Sequence, residues 1–262
     1  MATLKPAPML ETFTAPPPRV VNPHGASQVL LVCEHASNHV PRELCGLGAT
    51  AETLTSHAAW DPGAIEVAEA MSVELDATLV AAQASRLVYD CNRPPEAASA
   101  IIARSEAHRI PGNEGLDAQA RQARVELVYK PFQAALSGAL EARAGRATVL
   151  VTIHSFTRVF NGAARDVELG ILCDRDERLA DAMLARAPGL TDMLTAKNDP
   201  YGPADGVTHT LKEHGLSNGL LNVMIEVRND LLRTGQQQRE VAHMMCALVS
   251  DSIAALRAQG AA

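Results

Sequence analysis

Short apolar runs that stop abruptly at polar residues recur along the chain, separated by stretches with apolar residues at helical spacing. Val29-Leu30-Leu31-Val32-Cys33 has the pattern of a strand buried on both faces, and it stops at Glu34-His35-Ala36-Ser37-Asn38. Residues 63–76 put Ala64, Ala68, Met71 and Leu75 on one helical face, with Pro62 suited to the first helical position. Thr78 to Ala82 and Arg86 to Tyr89 read as short strands. Residues 93–116, with three prolines, read as a long loop with a single helical turn. Residues 117–143 are helical in composition, with a break or kink expected at Pro131.

The clearest strand is 147–153, ending at His154, and Val167 to Cys173 is another. A helix over 176–187 follows, with Asp174 as its cap. A loop over 198–206 leads to a short helix ending at His214. Leu220 to Val227 is a strand that holds Glu226 and runs into Arg228. Residues 236–257 form a last helix with Val241, Met244, Met245, Leu248, Val249, Ile253 and Leu256 on its buried side. Strands alternate with helices throughout, so the expected class is α/β: a single domain with a mostly parallel sheet flanked by helices. Pro6, Pro8, Pro16, Pro17, Pro18 and Pro23 predict an extended arm over 1–26 with no packed structure of its own, ahead of one domain over 27–262.

Hydrophobic residues make up 47% of the 262 and charged residues 20%, ordinary globular usage that excludes gross disorder. Aromatics are only 3%, so the core is aliphatic. A formal charge of −7 argues against nucleic acid or an anionic membrane as partner. Five scattered cysteines with no C-x-x-C fit a reducing compartment better than a disulfide framework. No run of 18 apolar residues predicts a membrane span, and the first residues lack the apolar centre of a signal peptide. Together these predict a cytoplasmic protein.

Four strand ends are unusually polar: Glu34-His35, Arg86 to Arg93, His154-Ser155 and Glu226-Val227-Arg228. In open α/β sheets, ligands bind beyond the carboxyl ends of strands, where distant segments converge. Histidine and carboxylate ligands, a separate carboxylate for proton transfer and arginines for an anionic substrate match a metal hydrolase. Each residue also has a plainer role. A lone histidine is more often a hydrogen-bonded structural group, Asp61 stands where a helix cap would, and Arg86 and Arg93 suit ordinary ion pairs. Glu226 is harder to dismiss, because an ionised carboxylate within an aliphatic strand needs a partner or a function.

Three tempting motifs fail on context. Gly215-Leu216-Ser217-Asn218-Gly219 matches G-x-S-x-G, but a helix precedes it and a strand follows, the reverse of a nucleophile elbow. His35 and His39 have the spacing of a helical zinc pair, yet they follow a strand and Pro41 comes two residues later. Cys33 and Cys91 lack an activating neighbour.

Taken in order, the blocks Cys33-Glu34-His35-Ala36-Ser37-Asn38, His57 through Ala64, Ser85 through Pro94, Ile110-Pro111-Gly112-Asn113, Ile153-His154-Ser155-Phe156, Asn198-Asp199-Pro200-Tyr201 and Ile225 through Leu231 resemble the N-formylglutamate amidohydrolase family. The resemblance implies a zinc-peptidase-like (phosphorylase/hydrolase-like) fold and hydrolysis of the amide of a small N-formyl or N-acyl acidic amino acid. N-formyl-L-glutamate, giving formate and glutamate, leads, in a setting of amino-acid catabolism such as histidine degradation. The layout is also similar to that of zinc-dependent cell-wall amidases. Carried over by position, His35, Asp61 and His154 are expected to hold a divalent metal, zinc foremost, with Glu34 as the substitute for Asp61.

The same resemblance assigns Glu226 as the catalytic carboxylate. Arg86, Arg93 and Arg228 are candidates for gripping substrate carboxylates through bidentate forks, with Asn92 and His214 completing the pocket. One departure stands out: the family commonly has histidine in the block where this chain reads Tyr129-Lys130-Pro131-Phe132-Gln133. The alternatives are a related deacylase, a peptidoglycan-type amidase, or a non-catalytic protein that binds a small acid or a metal.

Overall fold

The computed structural model of the chain describes residues 13–260. Seven strands form one mixed sheet: β1 (Arg19–Val21), β2 (Val29–Cys33), β3 (Thr78–Ala81), β4 (Val149–Phe156), β5 (Leu169–Leu172), β6 (Thr195–Lys197) and β7 (Leu221–Arg228). Their spatial order is β1-β3-β2-β4-β7-β5-β6. The four central strands β3, β2, β4 and β7 run parallel, and β7 meets β5 antiparallel. The single α/β domain with a mostly parallel sheet is therefore as expected.

Alternation along the strands sorts side chains into two layers. Leu31, Val151, Ile153, Val223, Ile225 and Val227 face one side, where they pack against the helices Ala64–Leu75, Arg178–Arg186 and Gly235–Ala258. Leu30, Val32, Val80 and Leu150 face the other, against Phe132 and Leu136 of the helix Lys130–Glu141. Gly235–Ala258 is long and apolar enough, by length and composition, to cross a membrane, contrary to the count of consecutive apolar residues. Here its apolar residues Val241, Met245, Leu248, Val249 and Ile253 lie in the core, and Thr234 caps it by accepting from the Gln237 N–H.

Several local expectations change. The prolines at 6 and 8 lie outside the described residues. The described part of the arm is tied down at two points: Phe13 is buried, and β1 pairs antiparallel with β3, Val20 opposite Val80. Three consecutive prolines stop just short of β1, so its N–H groups are free to pair. Arg86–Val88 is a turn, not a strand, closed by the Val88 N–H donating to the Ser85 carbonyl. The predicted kink at Pro131 is a widened turn: the Lys130 N–H bonds back to Val125 O just before proline, which has no N–H to offer. Asp61 does not cap the helix after it. Gly63, at φ +84°, takes that position, where a side chain would also strike Leu232. This turn releases the Asp61 carboxylate for other contacts.

Candidate active site

The parallel strands β2, β3, β4 and β7 bring four segments to one sheet edge. His35 follows the end of β2, Asp90 lies in the segment after β3, and β4 and β7 pair in register with His154 opposite Glu226. The polar side chains at this edge are buried: Glu34, His35, Asp61, Asp90, His154 and Glu226 are each no more than 5% exposed.

Asp61 is the hub. Its Oδ2 lies 3.2 Å from Nδ1 of His35 and 2.9 Å from Nδ1 of His154. The three ligand atoms that this trio offers lie within 4.8 Å of one another, so the group can hold a metal ion. The far nitrogen of each imidazole faces another carboxylate. His35 Nε2 is 2.7 Å from Asp90 Oδ1, and His154 Nε2 is 3.1 Å from Glu34 Oε2, angled so that no hydrogen bond forms. Both expected ligand sets are thus distinguishable: Asp61 stands between the two histidines, whereas Glu34 stands behind one of them. Arg86 bridges Asp61 Oδ1 at 3.2 Å and Asp90 Oδ2 at 3.1 Å.

The charges follow from these contacts. Burial alone would raise the Asp61 and Asp90 carboxyls, but His35 and, behind it, Arg86 hold both well below the usual carboxylate range. Burial opposes a charged His154, but Glu34 and Asp61 outweigh it and push its pKa well up. Glu226 behaves oppositely. Burial, with the nearby Asp61 charge, pushes its carboxyl up to about 7, and Oε2 has no hydrogen-bond partner. Gly170, opposite Glu226 on β5, leaves the space: a Cβ there would lie 3.3 Å from the Glu226 Cβ and 2.4 Å from Asp199 O.

A cavity of about 250 Å³ opens on this cluster. His35, Asp61, His154, Glu226, Arg86, Asn92 and Arg93 all line it. The amide of Asn92 is committed to backbone, donating to Val207 O and accepting from the Thr210 N–H, so it braces the loop that closes the cavity. Arg228 shares a face with Glu226, as the alternation of β7 requires. Its guanidinium, however, is taken up by Glu168 (3.0 Å) and Asp230 (2.8 Å), away from the cavity wall. His214 is also absent from that wall, donating from Nε2 to Gln133 Oε1. The residue that departs from the family pattern therefore serves His214.

Sequence reasoning missed Asp90 and Tyr201. Asp90 lies within the quoted Ser85–Pro94 block, but a strand read over 86–89 hid the turn that aims it at His35. Of the rejected motifs, the histidine pair contributes His35 alone to the cavity wall, without His39. Ser217 donates to Glu213 O on an exposed turn between helical segments and β7, while Cys33 and Cys91 are buried with thiols pushed well up by burial.

A buried carboxyl pushed up to about 7 beside paired imidazoles, set at the carboxyl edge of a parallel sheet, is the arrangement of a candidate enzyme active site. The particular family follows from the sequence match: the N-formylglutamate amidohydrolase family model covers residues 27–233, so the chain belongs to that family and is an amidohydrolase. Among solved structures, it is 50% identical to gene product Atu2144 from Agrobacterium tumefaciens, over 94% of this chain and 97% of that one, with a TM-score of 0.90. It also shares its fold with N-formylglutamate amidohydrolase from Ralstonia eutropha JMP134, at 18% identity over 92% and 99% of the two chains and a TM-score of 0.60. No curated protein matches it.

Proposed function

We propose that this amidohydrolase cleaves the amide of a small N-acyl acidic amino acid with water, N-formyl-L-glutamate foremost, giving formate and L-glutamate. The observation that supports this reading most directly is the convergence of two imidazole Nδ1 atoms on one Asp61 oxygen beside the partnerless Glu226. Two nitrogens and one carboxylate oxygen are a donor set of catalytic zinc sites, which keep a further position open. The charge balance fits as well. With both imidazoles neutral, as ligands must be, the four acids Glu34, Asp61, Asp90 and Glu226 face two guanidiniums, Arg86 in direct contact and Arg93 acting on Asp90 from further off, a deficit that a divalent cation offsets. His35, Asp61 and His154 would hold the ion, zinc being the leading choice. When bound, it supplies polarisation of the amide carbonyl and a lowered pKa for water.

The chain's own residues carry the rest. Asp90 holds the far nitrogen of His35 and so orients its ring, while Glu34 faces that of His154 as a charge contact. Glu226, ionised above about pH 7, accepts a proton from the attacking water at its free carboxylate oxygen and delivers it to the amide nitrogen as the C–N bond breaks. Arg93 binds a substrate carboxylate through its guanidinium. A non-catalytic binder would need no buried glutamate in this position. All five cysteines are free thiols, which supports a reducing compartment, and we place the reaction in the cytoplasm.

The test is formate release across a series of N-formyl and N-acetyl amino acids, with metal analysis of the purified protein and assay after chelation. Rapid turnover of N-formyl-L-glutamate, lost on chelation and restored by one divalent ion, is expected. Undiminished turnover in metal-free protein would overturn the metal role, and preference for another acyl group would overturn the substrate.

A further inference from the structure

Of the three arginines first considered for substrate carboxylates, two are already matched by acids: Arg86 by Asp61 and Asp90, Arg228 by Glu168 and Asp230. Arg93 differs. Among the described residues no carboxylate is in ion-pair contact with it, although its charge helps to hold Asp90 low; its Nη1 donates to Asn92 O, and its Nε is buried without a partner. An N-acyl acidic amino acid carries two carboxylates, so a second receiving group is needed.

Arg165 supplies the positive charge for it. Its guanidinium lies 4.5 Å from the ring centre of Phe160 and 4.6 Å from that of Tyr201, and Nη1 donates to the Tyr201 hydroxyl at 2.9 Å. Among the described residues Arg165 has no acidic partner either. The direction of this bond is fixed, because a guanidinium has donors only. The Tyr201 oxygen therefore accepts, and its own O–H proton remains to be given. Burial keeps that hydroxyl protonated, and Tyr201 lines the cavity together with Phe156 and Phe160, apolar surface suited to the methylenes between two carboxylates.

Resting on the reading that the substrate is an N-acyl acidic amino acid, we propose that Tyr201, held and polarised by Arg165, receives the side-chain carboxylate while Arg93 receives the other. Tyr201 is then a binding residue and Arg165 a positioning residue, and the pair sets the preference for a dicarboxylate. A site built around a hydrogen bond to a charged group rejects an isostere that lacks it, because the donor is left buried and unpaired.

The test compares N-formyl-L-glutamate with N-formyl-L-norvaline, which carries a methyl in place of the carboxylate, in the wild type, Tyr201→Phe and Arg165→Met. Wild type should favour the glutamate derivative. In both variants the ratio of kcat/KM between the two substrates should fall by roughly 10- to 100-fold, chiefly through KM for the glutamate derivative. Equal losses on both substrates, or an unchanged ratio, would overturn the assignment while leaving the substrate reading intact. Tyr201→Phe keeps the ring stack, so it answers the question even if Arg165→Met fails to fold. A wild type that prefers the norvaline derivative, or turns over neither, overturns the substrate reading and the assignment together.

Discussion

On one face of β4 and β7 stand Val149, Val151, Ile153, Leu221, Val223, Ile225 and Val227; on the other, one residue out of step, stand Thr152, His154, Met224, Glu226 and Arg228. Both sets are buried to a similar degree. The first set contributes to folding, each aliphatic side chain by about 1.5–3 kcal/mol when fully buried. The second contains ionisable groups whose desolvation costs several kcal/mol per ion unless paired. Equal burial thus has opposite energetic meanings on the two faces. The apolar face holds the strands in register, and that register delivers His154 and Glu226 to the cavity side by side.

The sharpest way to break this comparison is to change one residue on each face. Glu226→Gln removes the proposed proton acceptor while keeping shape, so kcat should fall by roughly 10²–10⁴-fold with the fold and any metal content unchanged. Steady-state kinetics beside metal analysis checks it, and a loss of less than tenfold would move the proton transfer to another group. Its neighbour Ile225 points the other way. Ile225→Ala should lower stability by about 2–5 kcal/mol, read by denaturant unfolding, while activity per folded molecule stays near wild type. Large kinetic damage there would mean that the two faces are not separable.

Glu226 should also reveal its cost through pH. Its folded-state pKa of about 7 lies above the ordinary 4.5, so the folded protein keeps a proton that the unfolded chain loses in between. The metal-free wild type therefore loses stability from this group as pH rises from about 4.5 to 7. Metal-free Glu226→Gln should equal wild type near pH 4.5 and exceed it above pH 7 by up to about 3 kcal/mol. A difference that does not vary with pH would show that the carboxyl is not raised.

A smaller effect is expected behind the site. Asp90→Asn leaves the ligands untouched but weakens the hold on His35 Nε2, and should reduce metal affinity by roughly 10–100-fold in a chelator competition. The smallest belongs to Ser217→Ala, which should leave turnover within about twofold, since surface changes away from such features do little. Loss of turnover by orders of magnitude there, with the fold unchanged, would replace the whole scheme with a serine mechanism.

Much of the site was legible along the chain because its residues interrupt apolar runs. His35, His154 and Glu226 each stand where a buried strand turns polar, and period-2 alternation placed Glu226 and Arg228 on one face. The order of elements around Ser217 was enough to reject it. What could not be read was partnership. Whether Arg228 meets substrate or Glu168 depends on a residue 60 positions away, brought beside it by the β5–β7 pairing. The same limit hid Asp90 behind His35, 55 residues apart, and Arg165 behind Tyr201. Sequence alone determined the α/β class, the strands β2, β3, β4, β5 and β7, the aliphatic core and which polar residues were too costly to bury without purpose, because periodicity and desolvation act locally. Which carboxylate stands between the histidines, which arginine keeps an unneutralised charge and which hydroxyl still has a proton to give were decided only by the tertiary structure, since charge and hydrogen-bond balance are properties of neighbours in space.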